Sequence, residues 1–268
     1  MQVVLKTREP TGVDLAHIAS NTIKVNQLKG DAHWQWLSLG WADMKHSMPA
    51  SIKIGGAVVV ISLAIIAGLY FSKLGSLIPA AIGSFALAGP ILATLVYGIS
   101  RKLEDSREVK KLRSVDMRPK SPAQVAMIGF ALLFLVLVWA RIALLLYAVS
   151  TGLNNQMNEV DFIRFVLSTP QGLAMMAVGT IMGGVLALAG FAISAISIPL
   201  AFDRDVDALS AMAASFAAVA KNPMATLSWG FVISMMVGFS AIFAFLPLVV
   251  VFPWLGHATW HAYRDLVE

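Results

Sequence analysis

The sequence predicts an all-α fold: a polytopic membrane helix bundle of six transmembrane helices in three loosely repeated hairpins, with short interfacial helices. Three observations carry this expectation. First, the 268 residues are 58% hydrophobic and 13% charged, with mean hydropathy +0.76. A soluble domain carries about 25% charged residues, so most of this surface must face lipid. Second, uncharged runs long enough to cross a hydrocarbon core of roughly 30 Å recur along the chain. Third, the basic residues divide by side. Seventeen of the twenty Lys and Arg fall in segments assigned to one face of the membrane, Lys73 and Arg164 fall on the other, and Arg141 lies inside a span.

The segment Arg101–Lys120 orients the rest. It holds eight Lys/Arg and four Asp/Glu between almost wholly apolar neighbours. The positive-inside rule puts it in the cytoplasm, which fixes the direction of every other helix and leaves both termini cytoplasmic. Its expected contacts are anionic lipid headgroups, and the formal charge of +5 reads as topology and not as a nucleic-acid surface. No cysteine is present, which excludes disulfides, thiolate metal sites and Cys nucleophiles. The N-terminal residues lack a signal-peptide pattern, so the first apolar run is expected to remain as an anchor.

Residues 1–48 read as a cytoplasmic arm ending in an interfacial helix over 31–48. Asp31 is its candidate N-cap, and Trp34, Leu37, Trp41, Met44 and Met48 follow at helical spacing on one face. Such a face suits either the headgroup layer or the rest of the protein. Residues 49–268 read as the transmembrane domain, with spans at about 53–72, 76–100, 122–150, 170–202, 223–244 and 247–264. Ser121-Pro122, Thr169-Pro170 and Asn222-Pro223 are helix starts, with proline where its missing N–H costs little. Asn222–Ala262 is 41 residues long, enough for two spans if Phe245-Leu246-Pro247 breaks it. A repeated order of cytoplasmic segment, span, turn and span favours that hairpin. Ala208–Lys221 reads as a small-residue amphipathic helix, and Thr151–Ser168 as a polar outer segment.

Four features could carry function. Arg141 stands near mid-span, where an ionised side chain costs roughly 2.5–3.5 kcal/mol. At about 14 Å by helix rise from the outer end it is far for snorkelling. It is expected to face the bundle with a hydrogen-bond partner or to stand near a transport site. His257 and His261, four apart, share a helical face and could hold a metal or haem iron. The competing reading places them at the headgroup level among belt residues Trp254, Trp260 and Tyr263. Gly89, Pro90 and Pro253 are expected helix kinks, the first pair above Thr94 and Tyr97. Gly179, Gly183 and Gly190 belong to a small-residue stripe that suits close helix packing. No phosphate-cradling loop, Ser/His/Asp grouping or intramembrane carboxylate pair is visible, so no catalytic residue, metal or cofactor is expected.

The segments Leu39–Asp43, Gly89-Pro90 through Arg101, Trp139–Ala143, Asp203–Asp207 with Asn222-Pro223, and Leu255–Arg264 resemble an uncharacterised family of bacterial integral membrane proteins. The family is a domain of unknown function, and some members are labelled putative cytochrome c oxidase subunit I. The acidic residue that often follows the family's tyrosine is replaced here by Gly98. The resemblance implies an accessory relation to a respiratory oxidase. The expected role is thus a non-enzymatic inner-membrane protein, a structural, accessory or assembly partner of another membrane protein. The alternatives are a small transporter or channel with Arg141 near the site, and a metal- or haem-binding protein through His257 and His261.

Overall fold

A computed structural model describes residues 23–106, 118–152, 157 and 159–268. Residues 1–22 of the arm, 107–117 of the charged segment expected to meet anionic lipid, and Asn154, Asn155 and Asn158 of the outer loop lie outside the described residues.

Helix α1 spans Ala32–His46, after Asp31 at the N-cap position, whose side chain makes no cap hydrogen bond. Helix α2, Met48–Phe71, starts one residue later with Pro49 in its first turn, so Pro49 opens a helix as well as closing one. Lys73, at φ 57°, turns the chain into a short 3₁₀ segment, Gly75–Leu77. Helix α3, Ile78–Leu92, and helix α4, Thr94–Ser106, form the second span. The kink expected at Gly89-Pro90 is resolved as a break at Ala93, one turn on, where the Thr94 hydroxyl donates to the Ile91 carbonyl at 2.6 Å. Helix α5, Pro122–Thr151, is continuous.

The segment expected outside is not simply a polar loop, because Glu159–Ser168 forms helix α6. Thr169 then caps helix α7, Pro170–Ser194, by accepting from Gly172 N at 2.9 Å. The expected single span to Phe202 breaks at Ala195-Ile196. Pro199 has no N–H and fits only in a first helical turn, which begins anew as helix α8, Ser197–Asp203. The amide freed at Ile196 donates to the Ser215 hydroxyl at 3.2 Å. Ser215 belongs to helix α9, Ala208–Lys221, which Asp207 caps through Ser210 N at 2.8 Å. Helix α10 runs Pro223–Ile242. The chain reverses at 243–247, with positive φ at Ala244 and Phe245, into helix α11, Leu248–Leu266.

Five helical stretches among the described residues are long and apolar enough to cross a membrane: Met48–Phe71, Gly75–Asp105, Pro122–Thr151, Pro170–Asp203 and Pro223–Ile242. Helix α11 does not qualify by composition, so the count of six spans rests on its placement. It is enclosed by other helices, with eleven of its 19 residues buried. The five others turn large apolar side chains outward, as α5 does with Phe130, Phe134, Leu137 and Leu145.

Close approach of backbones fixes α11. A Cβ on Gly40 would stand 2.5 Å from Ala258 N, and one on Gly55 would overlap the Val249 carbonyl. A Cβ on Gly256 would lie 2.9 Å from that of Val96. Helix α1 therefore lies against α11. Its buried face is Trp36, Leu37, Gly40 and Met44, rotated from the expected one, and Trp34 is 66% exposed.

The charged segments gather at one end. Val25 and Val267 pair as an antiparallel bridge. Lys120 N and Ser121 N donate to Phe202 O and Ala201 O, at 2.9 and 3.2 Å. Asn222 Oδ1 accepts from Leu28 N at 2.7 Å. The turns at Lys73 and at 243–247 mark the opposite end.

Gly55→Leu is expected to lower stability by about 1–3 kcal/mol or more, because the contact is with backbone that cannot yield. Thermal unfolding in detergent checks it. Asp207→Ala is expected to cost ~1 kcal/mol through loss of the helix cap. Hydrogen bonding to Ser210 lowers the Asp207 carboxyl below its ordinary range. That contribution is therefore present above the unfolded carboxyl pKa and is lost as pH falls through the folded one. Wild type and variant should accordingly converge in acid.

Candidate functional site

The polar residues of α11 project from a helix mostly enclosed by others, so the buried ones must find partners inside the protein. His257 has no exposed surface. Its Nδ1 lies 2.6 Å from Ser100 Oγ of α4, and its Nε2 lies 3.0 Å from Ser51 Oγ and 3.4 Å from Ser47 Oγ. A neutral imidazole offers one donor and one acceptor, and serine hydroxyls supply either complement. Ser47 Oγ is also 2.9 Å from Ser51 Oγ and donates to Asp43 O at 2.8 Å. Three helices, α2, α4 and α11, and the junction before α2 thus meet at one ring.

The next turn of α11 repeats the pattern with charge. His261 Nε2 stands 2.9 Å from Asp43 Oδ2. The Trp36 indole donates to Asp265 Oδ2 at 2.7 Å, and the Tyr263 hydroxyl donates to Asp203 Oδ2 at 2.9 Å. Arg264 lies 3.4 Å from Glu104 Oε1 and 3.5 Å from Asp203 Oδ2. Trp260 packs among Tyr97, Phe202 and Tyr263 with ring centroids 6.0, 6.3 and 5.4 Å away. The Arg101 guanidinium caps the Phe202 ring at 4.6 Å.

This arrangement revises both readings of the histidine pair. The two rings share a face, but His257 is held by serines of α2 and α4 and the junction before α2, while His261 is held by Asp43 of α1. Each ring already has a partner of its own. Among the described residues no three His, Cys, Asp or Glu side chains stand together as a metal set. The belt reading also fails. Trp260 and Tyr263 are completely buried, and Trp254 donates to Leu37 O at 2.8 Å beside the Trp41 ring.

Arg141 is exposed on the outer face of α5, among Phe134, Leu137 and Leu145, and makes no hydrogen bond or ion pair among the described residues. The bundle-facing expectation is therefore wrong. The physical reason is helix length. At 30 residues, α5 is about 45 Å long and overshoots a core of roughly 30 Å. Were the overhang shared between both ends, Arg141 would lie only about 7 Å below the nearer boundary, within reach of snorkelling.

Two apolar cavities lie between helices, one of about 230 Å³ around Phe85 and Leu92 and one of about 490 Å³ around Trp139 and Gly179. Arg141 lines neither. A Cβ on Gly190 would stand 2.4 Å from Leu87 Cδ2, and one on Gly183 3.1 Å from the Trp139 ring. Gly179 has only ordinary contact space, 3.8 Å from Leu146. Pro253 sits inside an unbroken α11. Thr94 and Tyr97 serve the helix break and the aromatic cluster.

Helices α3, α4, α5, α7 and α8, with α6 between them, hold a continuous block of these contacts. Residues 77–203 match the family described as "Predicted integral membrane protein (DUF2189)". No curated protein and no solved structure matches the chain. The DUF2189 segment supplies Tyr97, Ser100, Glu104 and Asp203 to the site, whereas Asp43, Ser47, Ser51 and all of α11 come from flanking sequence. Sequence reasoning missed the serines and acids. The available signal was Ser47 and Ser51, spaced four apart like His257 and His261.

His257→Leu is expected to cost about 2–4 kcal/mol, since the buried Ser51 and Ser100 hydroxyls lose their partner. His257→Gln, whose amide can engage one of the two hydroxyls, should fall between it and wild type. Fluorescence-detected thermal unfolding in detergent reads both. Arg141→Leu should change stability by no more than about 0.5 kcal/mol, as for an exposed position without partners.

Proposed function

We propose that the chain is a non-enzymatic multi-pass protein of the bacterial inner membrane, with six spans and both termini cytoplasmic. Its role is that of a structural, accessory or assembly partner of a membrane complex. One observation carries this reading: the polar heart of the protein is closed. His257 is fully buried and engaged at both nitrogens by serines, which leaves no open position for a substrate or a metal-bound water. A closed core of this kind stabilises a shape. The transporter alternative loses its support, because Arg141 points away from both cavities. The metal or haem alternative would require both histidines to leave their present partners. The family resemblance favours a respiratory oxidase as the complex served.

Orientation follows from charge. The basic segments at 101–106, 118–120, 204, 221 and 264 meet at one end with Val25 and Val267, and the positive-inside rule assigns that end to the cytoplasm.

Two experiments test the proposal. A phosphatase or fluorescent-protein fusion at the C-terminus should report a cytoplasmic location, and a periplasmic one would remove the sixth span. Purification at native expression level in a mild detergent should retain one membrane complex at fixed stoichiometry, lost in the Gly55→Leu variant. Isolation of the chain alone under those conditions would defeat the accessory role. An absorption spectrum showing about one haem per chain, abolished by His261→Ala, would favour the redox alternative.

A further inference from the structure

We propose that the larger cavity is a binding site for the acyl chain of a phospholipid from the outer leaflet. It encloses about 490 Å³ between α3, α5, α6 and α7, within the range of roughly 300–1,000 Å³ typical of ligand sites. Its walls include Trp139, Tyr147, Phe162, Met176, Gly179 and Gly183. Among the described residues no charged side chain lines it.

Three features identify the occupant as hydrocarbon. Three of the four polar side chains in the wall, all but Ser76 at its edge, are already engaged. The Trp139 indole donates to Ala80 O at 2.8 Å, the Thr180 hydroxyl donates to Met176 O at 2.8 Å, and the Tyr147 oxygen accepts from Met157 N at 3.3 Å. A polar ligand would be desolvated there without hydrogen bonds in return. The cavity is continuous with the surface that contacts lipid, because Met176 and Gly184, which line it, are also exposed on α7. Its depth is set by the Trp139–Ala80 bond, which joins α5 to the first turn of α3, just past the outer turn at Lys73. Helix α6 roofs it with Phe162 and Val166, while Asp161 and Arg164 remain exposed on the same helix.

The groove exists because α7 presents glycines there. Nothing within 4 Å would meet a Cβ on Gly184, and Gly179 has ordinary contact space. A leucine at either position is therefore accommodated by the helix packing and would occupy the cavity itself.

The test uses the full chain in vesicles of phosphatidylethanolamine and phosphatidylglycerol, doped with phosphatidylglycerol carrying a diazirine near the acyl terminus. After photolysis, mass spectrometry maps the labelled residues. Labelling of Tyr147, Phe162 and Met176 should exceed that of Phe130 and Phe134, on the opposite face of α5, several-fold. Gly179→Leu and Gly184→Leu should each reduce cavity labelling several-fold, leave Phe130 and Phe134 unchanged, and melt like wild type. Equal labelling of both faces in wild type would mean a lipid annulus only and would overturn the site. So would undiminished cavity labelling in both leucine variants.

Discussion

The contact on which the rest depends is the approach of the α11 backbone to Gly40, Gly55 and Val96. Helices in lipid gain little from burying apolar surface against one another, since the tails are as apolar as leucine. Association rests on van der Waals packing and on polar groups that find partners. Glycine at 40, 55 and 256 allows α11 to come near enough for both. Once it is there, His257 reaches hydroxyls on three sides, and His261, Tyr263, Arg264 and Asp265 each find a partner within side-chain reach. The dependence runs in one order. With bulkier residues at these contacts α11 would stand farther out, and its histidines, Trp260 and Tyr263 would meet hydrocarbon unpaired.

The two ends of the bundle are built from different forces. At the charged end, hydrogen bonds and ion pairs tie sequence-distant segments: Arg204 to the Glu268 carbonyl at 2.5 Å, Lys221 to the Val25 carbonyl at 2.6 Å, Ser121 to Asp205 at 3.0 Å. Exposed pairs such as Lys24–Glu268 are each worth only about 0–1 kcal/mol. The half-buried bonds to Asp203, Asp43 and Asp265 are harder to replace with water and so carry more of the order. At the other end the Trp139 indole, hydrogen-bonded to the Ala80 carbonyl at 2.8 Å, joins α5 to α3 and also packs against Gly183 of α7. Large side chains crossing glycine positions leave gaps, and both cavities adjoin this apolar half.

The sequence declares its spans because the signal is one-dimensional. Hydropathy, Pro-led helix starts and charge between runs located the helices from Met48 to Ile242 to within a few residues, and the turn at 243–247 fell where Phe245-Leu246-Pro247 predicted. What it did not declare is the order of helices around the bundle. The last apolar stretch reads as one more lipid-facing helix when taken alone, yet it is the central one. Its composition carried the hint: two histidines, a threonine and a tyrosine among Gly256, Ala258 and Ala262 suit an interior that offers partners. The rotation of α1 failed for the same reason, since Trp34 and Trp36 are equally plausible anchors until the position of Asp265 is known. Arg141 was misread through an assumption about depth. A 30-residue helix need not centre its eleventh residue from the end in the membrane.

The boundary of the DUF2189 match falls across the site and not around it. Within residues 77–203, the buried Tyr97, Ser100 and Phe202 all contact α11, through Trp260 and His257. Taken without the flanking helices, Ser100 would turn its hydroxyl toward hydrocarbon and Asp203 would lose Tyr263 and Arg264. The outer cavity, by contrast, is built almost wholly from the matched residues, with Ser76 the one wall residue before them. The two halves of the protein therefore differ in autonomy. The matched helices line the larger cavity almost by themselves. The polar inner half needs α1, α2 and α11 to close it, and that closure turns a row of apolar helices into a bundle with a defined interior.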